Sequence, residues 1–354
     1  MKKLFKISIL FILSAFLFGC GSKENKTVLN VYTGLEEEYL NHYIEMYKSD
    51  FPNVELNIIR DSQGAIAAKV IAEGNNPVAD VLWGMASINL IDLAKQGRLA
   101  ELKSEWLTNI DPAYIDSISE KPQWTGMTAW TSAITANKYE LAAKNLPIPA
   151  SYTDLLDEKY SKEIVMPNPA SSGTGYLTIL GWISIWGEEK AWEYMDQLHK
   201  NISQYTHSGS APVKMAMQGE QLIGVGMDSE SIRLGKTNES IVTILPSEGY
   251  GWDMEGIALV NKNTIKPEAV DFINWALSQK MMEEYSKNIG LVSYKGINTK
   301  LEGYPTNFKE KLAKIDFKWA SDNRERLAKI DFKWASDNRE RLLKEWETRY
   351  GKGE

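Results

Sequence analysis

Residues 164–176, IVMPNPASSGTGY, place a short apolar strand before a loop of serine, glycine and threonine. An apolar run over 177–186 follows and predicts a helix. The first N–H groups of such a helix lack partners, its dipole favours negative charge, and hydroxyl groups add donors. No lysine follows in the spacing of a nucleotide-binding P-loop. The stretch predicts a site for a small phosphorus oxyanion, with an ordinary capped helix as the alternative.

Strands and helices alternate on both sides of this stretch. Residues 28–32, 54–60 and 79–84 are predicted strands, and each precedes apolar residues at helical spacing. This alternation predicts an α/β fold with a parallel sheet, in which ligands bind at the carboxyl ends of the strands. Thr33, Ser62 and Trp83 each stand at such an end.

A second α/β unit follows a long extended segment. Residues 128–137 predict a strand that crosses between two domains, and 354 residues suffice for about two. We expect one helix over 177–198 and a strand over 222–227 that ends at Asp228. Residues 257–260 then predict a return to the first domain.

The charge balance excludes one class of partner. The formal net charge is −7 and the sequence contains no basic stripe, so we expect no binding to nucleic acid. An anionic ligand must therefore be held by local donors.

The N-terminus predicts export and lipidation. A basic start and an apolar run over 7–18 precede Gly19-Cys20, and this pattern resembles a bacterial lipoprotein signal. We therefore assign residues 1–20 to the signal peptide and residues 21–27 to a linker. Lipid on Cys20 would hold the protein outside the cytoplasmic membrane; a plain secretory signal is the alternative. Cys20 is the only cysteine, which excludes disulfides and a structural cysteine-based zinc site.

No catalytic motif stands out. The three histidines belong to no zinc-binding His-Glu-x-x-His pair, and no Gly-x-Ser-x-Gly elbow is present. Carboxylates near two predicted strand ends, Asp228, Asp253 and Glu255, are usually solvated or capping groups. Together they could accept the hydrogen bonds of a ligand ammonium group, so the predicted pocket suits a zwitterion.

The tail contains a tandem repeat, because residues 312–326 (LAKIDFKWASDNRER) recur as 327–341. Two copies are too few for a solenoid, and we interpret them as a lengthened terminal helix without assigned function.

Four segments resemble periplasmic 2-aminoethylphosphonate-binding proteins of ABC importers: SSGTGY (171–176), YTHSGS (205–210), residues 60–84 and residues 248–260. The resemblance implies a type II periplasmic-binding-protein fold, with two α/β lobes joined by crossing hinge strands that close on the ligand. We expect residues 28–130 plus 256–300 in lobe 1, 131–255 in lobe 2 and C-terminal helices over 301–354. It also implies a monomer without cofactor or metal, with an ABC permease as partner.

The resemblance also implies the site residues. The phosphonate would contact Thr33, Ser62, Ser171, Ser172, Gly173 and Thr174. The amine end and the cleft would be lined by Tyr32, Trp83, His207, Ser208, Asp228, Trp252, Asp253 and Glu255.

One departure keeps other ligands open. After the strand over 222–225 the chain has Gly-Met-Asp-Ser-Glu-Ser, where the aminophosphonate group is expected to carry an aromatic residue and Glu-Tyr-Arg. A sugar phosphate or another phosphate ester is therefore an alternative. Ferric binders of this fold use two adjacent tyrosines, which this chain lacks, so iron ranks third. A remote alternative is a hydrolase that uses His207.

Overall fold

The computed structural model describes residues 26–288, 291–297, 304 and 332–351. The signal peptide with Cys20, nearly all of the linker, and the first copy of the repeat lie outside these residues. Within them the predicted α/β fold is confirmed. None of the described helices is both long enough and apolar enough to cross a membrane.

Strands and helices alternate through the described chain. The strands are β1 (Thr27–Thr33), β2 (Val54–Arg60), β3 (Val81–Ala86), β4 (Trp124–Asn137), β5 (Ile164–Pro167), β6 (Ile202–Thr206), β7 (Ile223–Met227), β8 (Ile241–Ile244), β9 (Trp252–Leu259) and β10 (Leu291–Val292). The helices are α1 (Glu37–Asp50), α2 (Gln63–Glu73), α3 (Ser87–Lys95), α4 (Lys138–Ala143), α5 (Gly173–Trp186), α6 (Glu188–Asn201), α7 (Ala211–Gln218), α8 (Asp228–Gly235), α9 (Pro267–Leu277), α10 (Gln279–Asn288) and α11 (Phe332–Tyr350).

The first lobe is built on β1, β2 and β3. These strands run parallel, and β9 joins β3 in the antiparallel sense. Each parallel strand is followed by a helix, so α2 and α3 begin at the carboxyl ends of β2 and β3. Helix N-termini therefore gather at one edge of this sheet.

Strand β4 connects the two lobes. It is buried along its whole length, pairs with β9 up to Thr131, and pairs with β7 and β8 from Ser132 onward. β5 lies parallel to both β6 and β7 and completes the second sheet. A single strand thus belongs to both sheets, as a hinge strand must.

One detail differs from the sequence-based expectations, and another bears on a predicted boundary. Residues 252–255, assigned to lobe 2, begin β9 and pair with residues 128–131 of β4, and Glu255 also pairs with β3. The single helix expected over 177–198 is two helices, since Gly187 has a φ of +81° and ends α5. The numerical lobe boundaries otherwise stay a prediction.

Helix α11 contacts both lobes. Lys95 of α3 pairs with Asp337, while Arg341 forms a two-bond ion pair with Glu188 of α6 at 2.5 and 2.9 Å. Trp346 is buried edge-on against another ring, that of Tyr205, with centroids 5.0 Å apart. The second copy of the repeat thus continues into a packed helix.

Candidate ligand-binding site

The N-termini of α2 and α5 meet between the lobes. Ser172 caps α5 through its hydroxyl, which accepts the N–H of Gly175 at 3.3 Å. The Gly64 N–H in the first turn of α2 donates to the carbonyl of Ser171 at 3.0 Å. Two positive helix ends therefore face one another, as the sequence predicted for the α5 side.

Glycine is required where these helix ends touch. A Cβ added at Gly173 would lie 2.1 Å from the amide oxygen of Gln63. The Gln63 side chain is held in turn by a bond from its Nε2 to the Gly84 carbonyl at 3.2 Å. The glycine of the SSGTG loop thus lets the two lobes approach at this point.

The loop over 207–210 completes the contact between the two lobes. We call residues 61–64, 171–174 and 207–210 the interlobe seam. The His207 carbonyl accepts the hydroxyls of Ser62 and Ser171 at 3.1 and 2.9 Å. Gly209 packs on Thr174, whose Oγ1 would lie 2.0 Å from a Cβ at that glycine. The three segments predicted to bind ligand are therefore brought together.

The imidazole of His207 lies outside the seam. Its side chain is 62% exposed, and Nε2 lies 2.7 Å from Oδ1 of Asp61 on the opposite lobe. Ser208 stands at the start of α7, where its hydroxyl accepts the Ala211 N–H at 3.3 Å. His207 therefore contributes its carbonyl to the seam, while its ring forms a contact at the surface.

Buried carboxyl groups lie behind the seam. Glu36 accepts bonds from Arg60 and from Ser210 of the other lobe, both at 2.9 Å. Burial raises the pKa of Glu36, and Arg60 opposes that rise. Glu36 was missed by the sequence analysis, although its place just after the end of β1 could have indicated it.

Among the residues that the structure describes, Asp253 and Glu255 are the carboxyl groups with a buried oxygen that has no hydrogen-bond partner. Asp253 Oδ1 accepts from Ser87, and Glu255 Oε2 accepts the Thr128 hydroxyl at 3.1 Å, but Asp253 Oδ2 and Glu255 Oε1 are buried without a partner. Burial raises the pKa of Asp253 to about 7, against the lowering effect of the Ser87 bonds. Burial also raises the pKa of Glu255 to about 8, and the nearby carboxyls of Glu36, Asp228 and Asp253 add to this rise.

Asp228 has a different environment. It begins α8, is fully buried, and accepts the Thr131 N–H at 3.0 Å and the Tyr304 hydroxyl at 2.9 Å. Burial raises its pKa, and these bonds oppose the rise. Tyr304 had no signal in the sequence, because it lies 76 residues away along the chain.

Two predicted cleft residues are in the core instead. Trp83 packs edge-on against Phe272 and Trp275 and donates from its indole to the Tyr285 hydroxyl at 3.2 Å. The Tyr32 hydroxyl donates to Glu73, at the far end of α2 from the seam. A strand end also has a face that packs against helices, and both side chains lie on that face; their contact with a ligand stays a prediction.

Thr33 and Trp252 complete the predicted set. The Thr33 side chain is buried, and its hydroxyl accepts the Leu35 N–H at 3.1 Å. Trp252 opens β9 opposite Thr131. Thr33 thus stabilises the turn that leads to Glu36.

The site carries no cluster of metal ligands. Over the part of the chain that the structure describes, no three histidine, cysteine, aspartate or glutamate side chains stand close enough to hold a metal ion.

Comparison with known proteins identifies the family. Residues 42–297 match the model of the bacterial extracellular solute-binding proteins. The chain belongs to this family. Its members are binding proteins rather than enzymes, which implies a small-molecule ligand, an ABC permease partner and a location outside the cytoplasm.

Solved and curated proteins agree with this assignment. The chain is similar to the periplasmic binding protein AfuA from Actinobacillus pleuropneumoniae, solved with fructose 6-phosphate, at 26% identity and a TM-score of 0.80 over 93% of this chain and 100% of AfuA. The fold is shared with the periplasmic binding protein P5PA, at 22% identity and a TM-score of 0.78 over 92% and 100% of the two chains. An uncharacterized protein of Haemophilus influenzae is 28% identical over 87% of this chain and 90% of its own length.

Proposed function

We propose that this family member is a lipid-anchored receptor that captures 2-aminoethylphosphonate and delivers it to an ABC permease. The observation that carries the proposal is the combination of facing helix N-termini at the seam with buried, half-bonded carboxyl groups behind it. The first feature favours an anion and the second favours a cation. A short zwitterion offers both.

The phosphonate end is assigned to the donors of α5. The N–H groups of Gly173 and Thr174 are the first of the helix and have no acceptor within it. The Ser172 hydroxyl accepts the Gly175 N–H, which leaves its proton for a ligand oxygen. No lysine or arginine side chain is required, which suits a chain with a net charge of −7.

A sugar phosphate is the second candidate. It is favoured by the 26% identity to AfuA, which was solved with fructose 6-phosphate bound. Protonated carboxyl groups at Asp253 and Glu255 would donate to sugar hydroxyls as well as accept from them. Iron ranks below both, because the described site lacks three convergent ligands.

The proposal is tested by titration calorimetry of the chain from Gly21 with 2-aminoethylphosphonate, fructose 6-phosphate and ferric citrate. We expect tight binding of the aminophosphonate. Ser172→Ala and Thr174→Ala should each weaken it by about tenfold to a hundredfold, the value of a bond to a charged group.

The control is Ser286→Ala, which removes from α10 a hydroxyl that donates to the Glu283 carbonyl, and which should leave the affinity unchanged. Heat from fructose 6-phosphate alone would replace the proposed ligand with a sugar phosphate.

A further inference from the structure

We infer that Glu255, rather than Asp228, binds the cationic end of the ligand, and that binding displaces the proton of the Glu255 carboxyl group into solvent. This inference rests on the proposed function. It assigns one side chain to the amine and adds a proton to the binding reaction.

Asp228 is a weaker candidate than Glu255, because each of its oxygens already accepts a hydrogen bond. One of its oxygens accepts the Thr131 N–H and the other accepts the Tyr304 hydroxyl. A ligand ammonium would have to share these oxygens with a buried tyrosine and with a backbone N–H of β4. Asp228 therefore ties β4 and Tyr304 to the start of α8.

Glu255 has the opposite pattern. One oxygen is fixed by the Thr128 hydroxyl, and the other has no partner although the residue is only 1% exposed. An unbonded buried oxygen is costly, and it demands either a proton or a donor from a ligand. Asp253 lies two residues earlier on β9, on the same face of the strand, and has the same arrangement.

Glu255 is also close to the seam. Ser210 of the seam donates to Glu36, and the Glu36 carboxyl lies near enough to raise the pKa of Glu255. The group that binds the amine is therefore one buried residue away from the loops that bind the phosphonate.

The surroundings explain why the proton is present before binding. The titratable groups near Glu255 are Glu36 before α1, Tyr39, Tyr43 and Tyr285 on α1 and α10, Asp228 on α8, and Asp253 on β9 itself. The positive charge of Arg60 is paired with the carboxyl group of Glu36. Burial and neighbouring acids keep Glu255 neutral at pH 7, whereas an ammonium ion beside it would favour the carboxylate.

The proton balance of the step is simple. The ligand keeps its ammonium group, Glu255 changes from carboxylic acid to carboxylate, and one proton passes to the buffer. With a pKa of about 8 the group is about nine-tenths protonated at pH 7, so close to one proton is released.

Calorimetry in buffers of different ionisation enthalpy counts this proton. We expect wild type to release about 0.9 proton more than Glu255→Gln on binding 2-aminoethylphosphonate at pH 7. The difference between the two proteins cancels any proton lost by the phosphonate itself. Glu255→Gln should bind the aminophosphonate at least about tenfold more weakly, yet bind ethylphosphonate like wild type. Glu220→Gln, an exposed glutamate, is the control and should keep the wild-type affinity and proton count.

A second measurement uses wild type alone. Its preference for 2-aminoethylphosphonate over ethylphosphonate should increase about 50-fold from pH 6 to pH 8, since the ionised fraction of Glu255 rises from about 0.01 to about 0.5. Tight binding with equal proton counts in wild type and Glu255→Gln, or a preference that does not change with pH, would overturn this inference alone. Absence of aminophosphonate binding by wild type would overturn the proposed function and this inference together.

Discussion

Replacing Glu255 by glutamine should change how the stability of the ligand-free protein depends on pH. Burial raises the pKa of Glu255 from 4.5 to about 8 in the folded state. Below pH 4.5 the folded and unfolded states both carry the proton. Between pH 4.5 and pH 8 the unfolded state loses it while the folded state keeps it, so the free energy of unfolding falls as pH rises. Above pH 8 both states are ionised and the loss is complete.

The magnitude follows from the two pKa values. The difference between 8 and 4.5, about 3.5, multiplied by about 1.4 kcal/mol for each pKa unit, gives about 5 kcal/mol. Asp253, Glu36 and Asp228 also have raised pKa values and destabilise wild type in the same direction. They remain in the variant, so the difference between the two proteins reports Glu255 together with its coupling to these neighbours.

The assay is urea unfolding of both proteins at intervals from pH 4.5 to pH 9. We expect Glu255→Gln to gain up to about 5 kcal/mol relative to wild type across this range. The exposed control Glu220→Gln should follow wild type. Parallel curves for wild type and Glu255→Gln would show that the buried carboxyl is ionised in the free protein, which would refute the reasoning.

Two further predictions concern packing. Trp346→Ala should lower the free energy of unfolding by about 3–5 kcal/mol, because the ring is buried against Tyr205. Trp346→Phe should lower it much less, since the indole N–H has no hydrogen-bond partner. Chemical denaturation measures both changes. Gly209→Ala should weaken ligand binding by about tenfold or more, because the added Cβ would force Thr174 out of place. Gly235→Ala is the control: the nearest atom to its added Cβ would be 3.7 Å away, and the affinity measured by calorimetry should not change.

The fold was largely predictable because its strands carry local signals. Residues 54–60 were predicted as a strand, and β2 has the same bounds. The crossing strand was predicted from residue 128, but it begins at Trp124, where glycine and threonine interrupt the apolar pattern. The break at Gly187 was missed because apolar helical spacing continues on both sides of it, and only the positive φ ends the helix.

The site was predictable where backbone chemistry defines it. Serine, glycine and threonine before an apolar run indicate a helix N-terminus from local sequence alone. Ser172 does cap α5. The carboxyl groups could be found but not ranked. Whether Asp228 or Glu255 keeps an unbonded oxygen depends on Tyr304 and Thr128, which are distant in sequence.

The seam indicates how binding and closure are coupled. Two bonds that hold the lobes together, from the Gly64 N–H to the Ser171 carbonyl and from the Ser62 hydroxyl to the His207 carbonyl, use donors beside the groups proposed to bind the ligand. A ligand oxygen that took over these donors would replace bonds with a net value of about 1 kcal/mol each. The exposed pair of His207 with Asp61 adds little. The free energy of the hydrogen bonds between the lobes nearly equals that of the bonds that replace them with an anion. The donors of the seam alone therefore cannot drive closure on an arbitrary anion. Under the proposed function, the unbonded oxygen of Glu255 would gain a partner only when a cationic ligand is enclosed, which would make closure selective for a zwitterion.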